Sequence, residues 1–146
     1  MMSADDEAAV LAANRAFYAV FRRRDIGAMR ALWARVAPVS CVHPGWPPLI
    51  GRDEVMGSWE GILSHPESPA VACRDEKVRM IGKGQALVVL IEMIGDNPLA
   101  ATNVFVLEDG EWHIVHHQAS PLADAAQIPA DETGDDAGPP TGTMLH

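Results

Sequence analysis

Residues 102–121, TNVFVLEDGEWHIVHHQASP, predict the β-hairpin around which the chain is organised. Asp109 and Gly110 lie between two apolar runs, and both residue types tolerate the positive φ angles of a tight hairpin turn. The flanking runs are rich in β-branched and aromatic residues, which are enriched in strands. We therefore expect two antiparallel strands that are joined at residues 108–111.

The second strand of this hairpin predicts a pocket wall, because successive side chains of a strand point to opposite faces. Strict alternation places one set of side chains on the same face: Trp112, Ile114, His116, Gln118 and Ser120. That face is apolar at one end and polar at the other, as in the wall of a binding pocket. We therefore expect His116 to line a pocket and His117 to point away from it.

Composition predicts one soluble domain. The chain has 146 residues, 48% of them apolar, and a net charge of −9. The acidic balance argues against nucleic acid and anionic membranes as partners. We see no apolar run of the roughly 18 residues that span a bilayer, and the acidic N-terminus is unlike a signal peptide, so we expect a cytoplasmic protein. Cys41 and Cys73 are too few for a disulfide scaffold and are expected as buried thiols.

Three helices are predicted ahead of most strands, over residues 3–24, 26–34 and 53–64. Asp25 is placed to cap the second helix, because a short acidic side chain accepts from free backbone N–H groups. A short strand over residues 39–43 and a proline-rich loop around Trp46 separate the second helix from the third.

Strands are predicted over residues 71–81 and 86–94, ahead of the hairpin, with the more apolar second strand at the centre of the sheet. Helices followed by strands imply an α+β fold, a curved antiparallel sheet covered by three N-terminal helices. We expect this domain to occupy residues 1–122. Residues 123–146 are acidic and rich in Pro and Gly, and we expect a disordered tail there.

This order of elements resembles the nuclear transport factor 2-like superfamily, in the branch called SnoaL-like or ketosteroid isomerase-like. The resemblance covers residues 6–121 and is most specific in VSCVHPGW at residues 39–46, in the helix carrying Trp59, and in EDGEWHIVHHQASP at residues 108–121. The last segment is also similar to the end of the association domain of calcium/calmodulin-dependent kinase II, which shares the superfamily.

The resemblance implies a cone-shaped, cystatin-like α+β fold with a pocket between the concave sheet face and the helices. It also implies a homodimer packed through the outer sheet face, toward which His117 would then point. Members include isomerases, dehydratases, polyketide cyclases, hydrolases and binding domains, so function must be argued from the site.

The predicted site combines residues that line the pocket in the resembled fold: His43, Trp46, Trp59, Asn103, Phe105, His116 and Gln118. His43 and His116 are the candidate catalytic acid and base, because imidazole titrates near neutral pH. The two tryptophans and Phe105 supply flat apolar walls, and Asn103 and Gln118 offer hydrogen bonds to a substrate oxygen.

Each of these residues has a plainer interpretation. A strand histidine is more often a hydrogen-bonded structural residue than a catalyst. Trp59 lies at helical spacing from Val55 and Ile62, which favours a place in the hydrophobic core over a ligand contact. Glu92 lies in the most apolar segment, where burial would raise its pKa. The strand pattern leaves open which face of the sheet carries its side chain. A metal site formed by His43, His116 and a carboxylate is a further, weaker alternative, which the spacing of the histidines does not support. We find no phosphate-binding loop or nucleophile elbow.

Two functions follow. The first is cofactor-free acid–base chemistry, of isomerase, dehydratase or cyclase type, on a small apolar carbonyl compound. The alternative is a non-catalytic ligand-binding or dimeric assembly domain. A hydrolase that activates water with a histidine is a weaker third option.

Overall fold

The computed structural model describes residues 4–123, which form three helices and one six-stranded sheet. The elements in chain order are α1 (Ala4–Arg23), α2 (Ile26–Leu32), β1 (Ser40–Val42), β2 (Leu49–Ile50), α3 (Arg52–Ser64), β3 (Ala72–Gly82), β4 (Gln85–Ile94), β5 (Asn97–Glu108) and β6 (Glu111–Pro121). This order confirms the predicted α+β class. The predicted helix start at Ser3 and the predicted tail after Ala123 lie outside the described residues.

The sheet has the strand order β2-β1-β6-β5-β4-β3. Strands β3 to β6 form the predicted antiparallel meander. Strand β1 pairs with β6 in parallel, so the sheet is mixed rather than purely antiparallel, and its two edges do not close into a barrel. This pairing adds two strands beyond β6, which moves the centre of the sheet to β5 and β6. The prediction that β4 is the central strand was therefore wrong.

The predicted hairpin turn is confirmed. Glu108 pairs with Glu111, and Asp109 and Gly110 between them have φ angles of 55° and 78°. Two consecutive positive φ angles are the backbone of the turn whose twist matches that of the flanking strands.

A β-bulge interrupts the same hairpin. Val104 pairs with His116, but the next residue, Phe105, pairs with Ile114, so Val115 is an extra residue in β6. A bulge of one residue reverses the alternation of every side chain that follows it. Ile114 and His117 therefore share the inner face of the sheet, contrary to the strict alternation expected from the sequence.

The helices cover one face of the sheet, and the core lies between them. Phe17 and Tyr18 of α1 and Met29 of α2 are fully buried, as is Trp59 of α3. The predicted cap of α2 is confirmed, because the Asp25 carboxylate accepts from the Ala28 N–H at 3.0 Å. No helix within residues 4–123 is both long and apolar enough to cross a membrane.

One glutamate fastens the chain after α2 to the hairpin. The Glu108 carboxylate accepts from the backbone N–H groups of Arg35, Val36 and Ala37 at 2.9, 3.0 and 2.9 Å. These bonds favour the charged form and hold the pKa of Glu108 below its ordinary value. They fix the approach of the chain to β1 and thereby the parallel pairing of β1 with β6.

Replacing this carboxylate should loosen the start of β1. We expect Glu108→Ala to lower the free energy of unfolding by about 1 kcal/mol, the usual cost of leaving such backbone donors without a side-chain acceptor. Because the pKa of Glu108 is lowered by folding, its stabilisation is present above the unfolded pKa and is lost as the pH falls through the folded pKa.

Urea denaturation at pH 7 and at pH 3 measures both effects. Glu111→Ala is the matched control, since the Glu111 side chain is 80% exposed and belongs to the same turn. Equal losses in the two variants, or a Glu108→Ala loss that is undiminished at pH 3, would contradict this account.

Candidate functional site

Five polar side chains form a buried cluster between α1 and the inner face of the sheet. They are all at most 3% exposed: Asn14, Tyr18, Glu92, Asn103 and His117. Polar groups at this depth need hydrogen-bond partners, because the interior offers no water to replace them. We call this set the polar cluster.

Local geometry brings the members together. Asn14 and Tyr18 are four residues apart on α1 and therefore lie on one face of the helix. Asn103 pairs with both Val88 and His117, so His117 is its direct neighbour across the sheet. Glu92 lies on the inner face of β4, because it continues the buried alternation that begins at Ala86.

The Tyr18 hydroxyl is the centre of the polar cluster. It donates to the Glu92 carboxyl Oε2 at 2.6 Å and accepts from the Asn103 amide Nδ2 at 3.1 Å. The same Asn103 amide donates to Asn14 Oδ1 at 2.8 Å. Tyr18 is thus held by one acceptor and one donor, which fixes the direction of its proton.

These bonds assign the tautomer of His117. Both amide hydrogens of Asn103 are committed to α1, so its Oδ1 is an acceptor and receives the N–H of His117 Nδ1 at 2.6 Å. The opposite ring nitrogen, Nε2, then carries a lone pair. It lies 3.8 Å from Glu92 Oε2, too far for a direct hydrogen bond.

Burial raises the pKa of one member of the polar cluster and lowers that of another. It raises the pKa of Glu92 to about 7, against the lowering effect of the Tyr18 hydrogen bond. It lowers the pKa of His117 to about 3, with further lowering by the nearby His43 and His116. His117 is therefore neutral at pH 7, and its contact with Glu92 is not an ion pair.

His43 lies next to the polar cluster and is also buried. The Ser58 hydroxyl donates to the Val55 carbonyl at 2.7 Å, so it accepts the N–H of His43 Nε2 at 2.9 Å. The Cys41 Sγ lies 3.5 Å from the same Nε2 and 3.9 Å from the other ring nitrogen, Nδ1. Burial lowers the pKa of His43 to about 4 and raises that of the Cys41 thiol to about 12, so both groups are neutral at pH 7.

Most of the predicted site residues do come together. Asn103 and Phe105 are buried on the inner face of β5. Trp59 is fully buried and packs edge-to-face on Phe17 and on His43 at centroid distances of 5.5 and 4.8 Å. Its indole N–H has no hydrogen-bond partner among the described residues. Trp59 thus belongs to the core while forming one wall beside His43.

Trp46 also packs against the ring of His43. It lies on the proline-rich loop after β1, is 44% exposed, and its ring centroid is 4.9 Å from that of His43. Its position separates His43 from solvent on the loop side.

Two predicted site residues lie on the other face of the sheet. His116 pairs with Val104 and with Ser40, whose hydroxyl is 2.7 Å from its Nδ1, and Gln118 pairs with Thr102. The expectation that His116 lines the pocket while His117 points outward was wrong. The cause is the bulge at Val115, which turns His117 inward and His116 and Gln118 outward.

Three members of the polar cluster, Asn14, Tyr18 and His117, are not among the predicted site residues, and the face on which Glu92 lies was left open. Asn14 and Tyr18 are the polar members of a helix stripe that is otherwise apolar, and this interruption is a readable signal. Glu92 shares its strand parity with Ala86, Val88 and Leu90, which predicts an inward direction. His117 gives no comparable signal, because its direction depends on the bulge.

Further observations bound what the cluster can hold. Within residues 4–123 no group of three or more His, Cys, Asp or Glu side chains is arranged to bind a metal ion. Surface clefts of about 680 and 630 Å³ lie at opposite ends of the sheet, and neither is lined by a member of the polar cluster.

Comparisons with known proteins found a matching family model and similar solved structures. The model of the SnoaL-like domain matches residues 10–124. A candidate dehydratase of the NTF2-like family from Streptomyces avermitilis is 33% identical, with 82% of this chain and 98% of that chain covered and a TM-score of 0.74. A candidate calcium/calmodulin-dependent protein kinase type II association domain from Thiobacillus denitrificans is 32% identical, with 77% and 94% covered and a TM-score of 0.64.

A plant protein is also similar. The F-box protein SKIP8 of Arabidopsis thaliana is 26% identical over 113 residues, which is 77% of this chain. The chain spans about half of that relative, 49% of its length.

The raised pKa of Glu92 predicts how stability depends on pH. The folded state binds the proton of the Glu92 carboxyl group more tightly than the unfolded state does. Below the unfolded pKa the group is protonated in both states, and Glu92 then carries no penalty for folding. Its destabilising effect grows as the pH rises from about 4.5 toward 7. A shift from 4.5 to about 7 corresponds to roughly 3 kcal/mol. We expect Glu92→Gln, which keeps an acceptor for Tyr18, to remove this penalty and gain stability over wild type at pH 8.

Urea denaturation of both proteins at pH 5 and pH 8 tests this. The lowered pKa values of His43 and His117 act in the opposite direction, since unfolding releases them to take up protons below pH 6.5. That contribution is common to both proteins and cancels in their difference. A stability difference that is the same at the two pH values would contradict a raised pKa for Glu92.

Proposed function

Because the chain belongs to the SnoaL-like domain family of the NTF2-like fold, we propose that it catalyses cofactor-free acid–base chemistry on a small apolar carbonyl compound. The reaction would be of isomerase, dehydratase or cyclase type. The observation that carries this proposal is Glu92, a buried carboxyl group with a pKa of about 7 that faces the bare Nε2 of His117 at 3.8 Å.

Glu92 has the properties of a general base. A proton-transfer group works best when its pKa is near the operating pH, and burial supplies that shift here. In the proposed step the Glu92 carboxylate takes a proton from the carbon next to a carbonyl group. The C–H electron pair moves onto the carbonyl oxygen as an enolate. The protonated Glu92 then returns the proton to the product.

The neighbouring side chains have supporting roles in this proposal. The Tyr18 hydroxyl donates to Glu92 Oε2 and so stabilises the carboxylate that acts as the base. Asn103 holds Tyr18 in this position through a hydrogen bond to its hydroxyl oxygen. His117 offers a neutral acceptor to a substrate hydroxyl. His43, also neutral, is the second candidate proton carrier, and Trp59 and Phe105 supply apolar walls. The Streptomyces relative, a candidate dehydratase at 33% identity, supports this class of chemistry.

The test is hydrogen–deuterium exchange at C1 of 2-tetralone, an apolar and readily enolised ketone, followed by NMR in D₂O. We expect the full chain to accelerate exchange over buffer, with a rate that rises with pH to a plateau through a midpoint near 7, the pKa of Glu92. Glu92→Gln should lower the accelerated rate at least about 100-fold, as loss of a catalytic base does.

Glu111→Gln is the control for this experiment, since it makes the same chemical change at an exposed side chain. A Glu92→Gln variant that keeps the wild-type rate would overturn the assignment of the base. Binding of 2-tetralone without accelerated exchange would favour the alternative function.

That alternative is a non-catalytic ligand-binding or dimeric assembly domain. The Thiobacillus relative, a candidate association domain at 32% identity, favours it. So does the closed hydrogen bonding of the polar cluster, because a site whose donors are already satisfied has fewer groups to offer a substrate.

We also propose a homodimer through the outer face of the sheet. Leu87, Val89 and Ile91 alternate with the buried residues of β4 and point to this face, and Val89 is 38% exposed. A row of apolar side chains on an uncovered sheet face is typical of a surface that another chain covers.

Light scattering after size-exclusion chromatography tests the dimer. We expect wild type at twice the chain mass and Val89→Arg at the monomer mass, because an arginine in the middle of an apolar interface leaves a buried charge unpaired. Val36→Arg makes the same change at a loop residue that is 84% exposed and should leave the mass unchanged. A dimer that survives Val89→Arg would place the interface elsewhere.

A further inference from the structure

The cleft of about 680 Å³ lies at the end of the sheet where β4 turns into β5 and where β6 ends. We call it the end cleft. Its lining is mainly apolar and comes from four parts of the chain: Pro44, Ile94, Leu99, Pro121 and Leu122. It is of the size that accepts small organic ligands.

Strand register connects the end cleft to the polar cluster. Glu92 pairs with Leu99, and Leu99 pairs with Pro121, so the three residues form one row across β4, β5 and β6. Leu99 and Pro121 line the cleft, and Glu92 is the third member of their row. Leu99 is only 4% exposed, so it is the buried one of the two lining residues in this row.

The next row inward has small side chains on β5 and β6 and the buried Leu90 on β4. Ala101 pairs with Ala119, and both are buried. His43 follows Val42, which pairs with Gln118, so His43 is level with Ala119, and Pro44 after it lines the cleft. The row after that contains Asn103 and His117. The end cleft with Glu92 beside it, then His43, and then Asn103 and His117 therefore follow one another along the inner face.

We propose that the end cleft is the ligand entrance to the polar cluster, and that Leu99 closes its inner end. This proposal rests on the proposed function only in taking the polar cluster as the place where a ligand is held. A ligand that enters here meets Leu99 first and reaches Glu92 and His43 when that side chain turns aside.

The lining also selects the ligand. None of the described residues that line the end cleft carries a positive charge, and Asp96 places a carboxylate at its rim. An anionic ligand would meet this carboxylate and a chain of net charge −9 without a cation to pair with. The entrance therefore fits an uncharged, mainly apolar molecule with a polar group at one end, and it excludes carboxylated and phosphorylated compounds.

Calorimetric titration of the full chain at pH 7 with two matched probes tests the proposal. The probes are 2-naphthol, which is neutral, and 2-naphthoate, which has the same ring system and a negative charge. We expect 2-naphthol to bind at least tenfold more tightly than 2-naphthoate. Equal affinity, stronger binding of 2-naphthoate, or no binding of either probe would overturn the ligand class.

Two variants locate the binding site. Leu122→Trp fills the end cleft from its outer side without touching the Leu122 N–H bond to the Pro98 carbonyl, and should weaken 2-naphthol binding at least tenfold. Leu107→Trp makes the same change in the cleft of about 630 Å³ at the opposite end of the sheet and should leave affinity unchanged. Asn97→Lys adds a cation at the exposed rim of the end cleft and should strengthen 2-naphthoate binding relative to 2-naphthol binding.

The outcomes separate this proposal from the proposed acid–base function. Unchanged 2-naphthol affinity in Leu122→Trp, with far-ultraviolet circular dichroism that matches wild type, overturns the entrance even if Glu92→Gln abolishes 2-tetralone exchange. Weakened binding in Leu122→Trp, together with 2-tetralone exchange that Glu92→Gln does not change, supports the entrance and overturns the acid–base function.

Discussion

The hydrogen bond between the Tyr18 hydroxyl and the Glu92 carboxyl is the interaction on which the interior depends. A carboxyl group at this depth is costly without a donor, and Tyr18 supplies one at 2.6 Å. Asn103 then orients Tyr18, and its remaining oxygen fixes the ring of His117. One helix and three strands are thus joined by polar contacts whose loss would leave several buried groups unpaired at once.

Burial gives the same cluster its chemical character. It brings the pKa of Glu92 up to about 7 and takes the pKa of His117 and His43 down to about 3 and 4. Near neutral pH the carboxyl group therefore exchanges its proton while the imidazoles stay uncharged. This separation of titrations suits the proposed acid–base chemistry. The raised pKa of Glu92 by itself lowers stability as the pH rises, a conflict that is common at functional sites.

One end of the sheet carries a contact that fixes the strand order, and the other end carries a cleft. At the hairpin end, Glu108 holds the backbone of residues 35–37 and fixes where β1 joins the sheet. At the other end, the cleft beside Leu99 adjoins the row that contains Glu92. Two relatives of nearly equal identity carry the names of a dehydratase and an association domain, so the fold is common to both and the side chains of the site must decide the function.

Features that depend only on neighbours along the chain can be predicted from the amino-acid sequence. The Asp109-Gly110 turn, the Asp25 cap and the order of helices and strands follow from local φ preferences and side-chain spacing. Which side chains point inward depends instead on how distant strands pair. The bulge at Val115 depends on how β5 pairs with β6, and it alone turns His117 inward and His116 outward. Tyr18 and Glu92 meet across 74 residues of sequence, and no local pattern encodes a contact between chain segments so far apart.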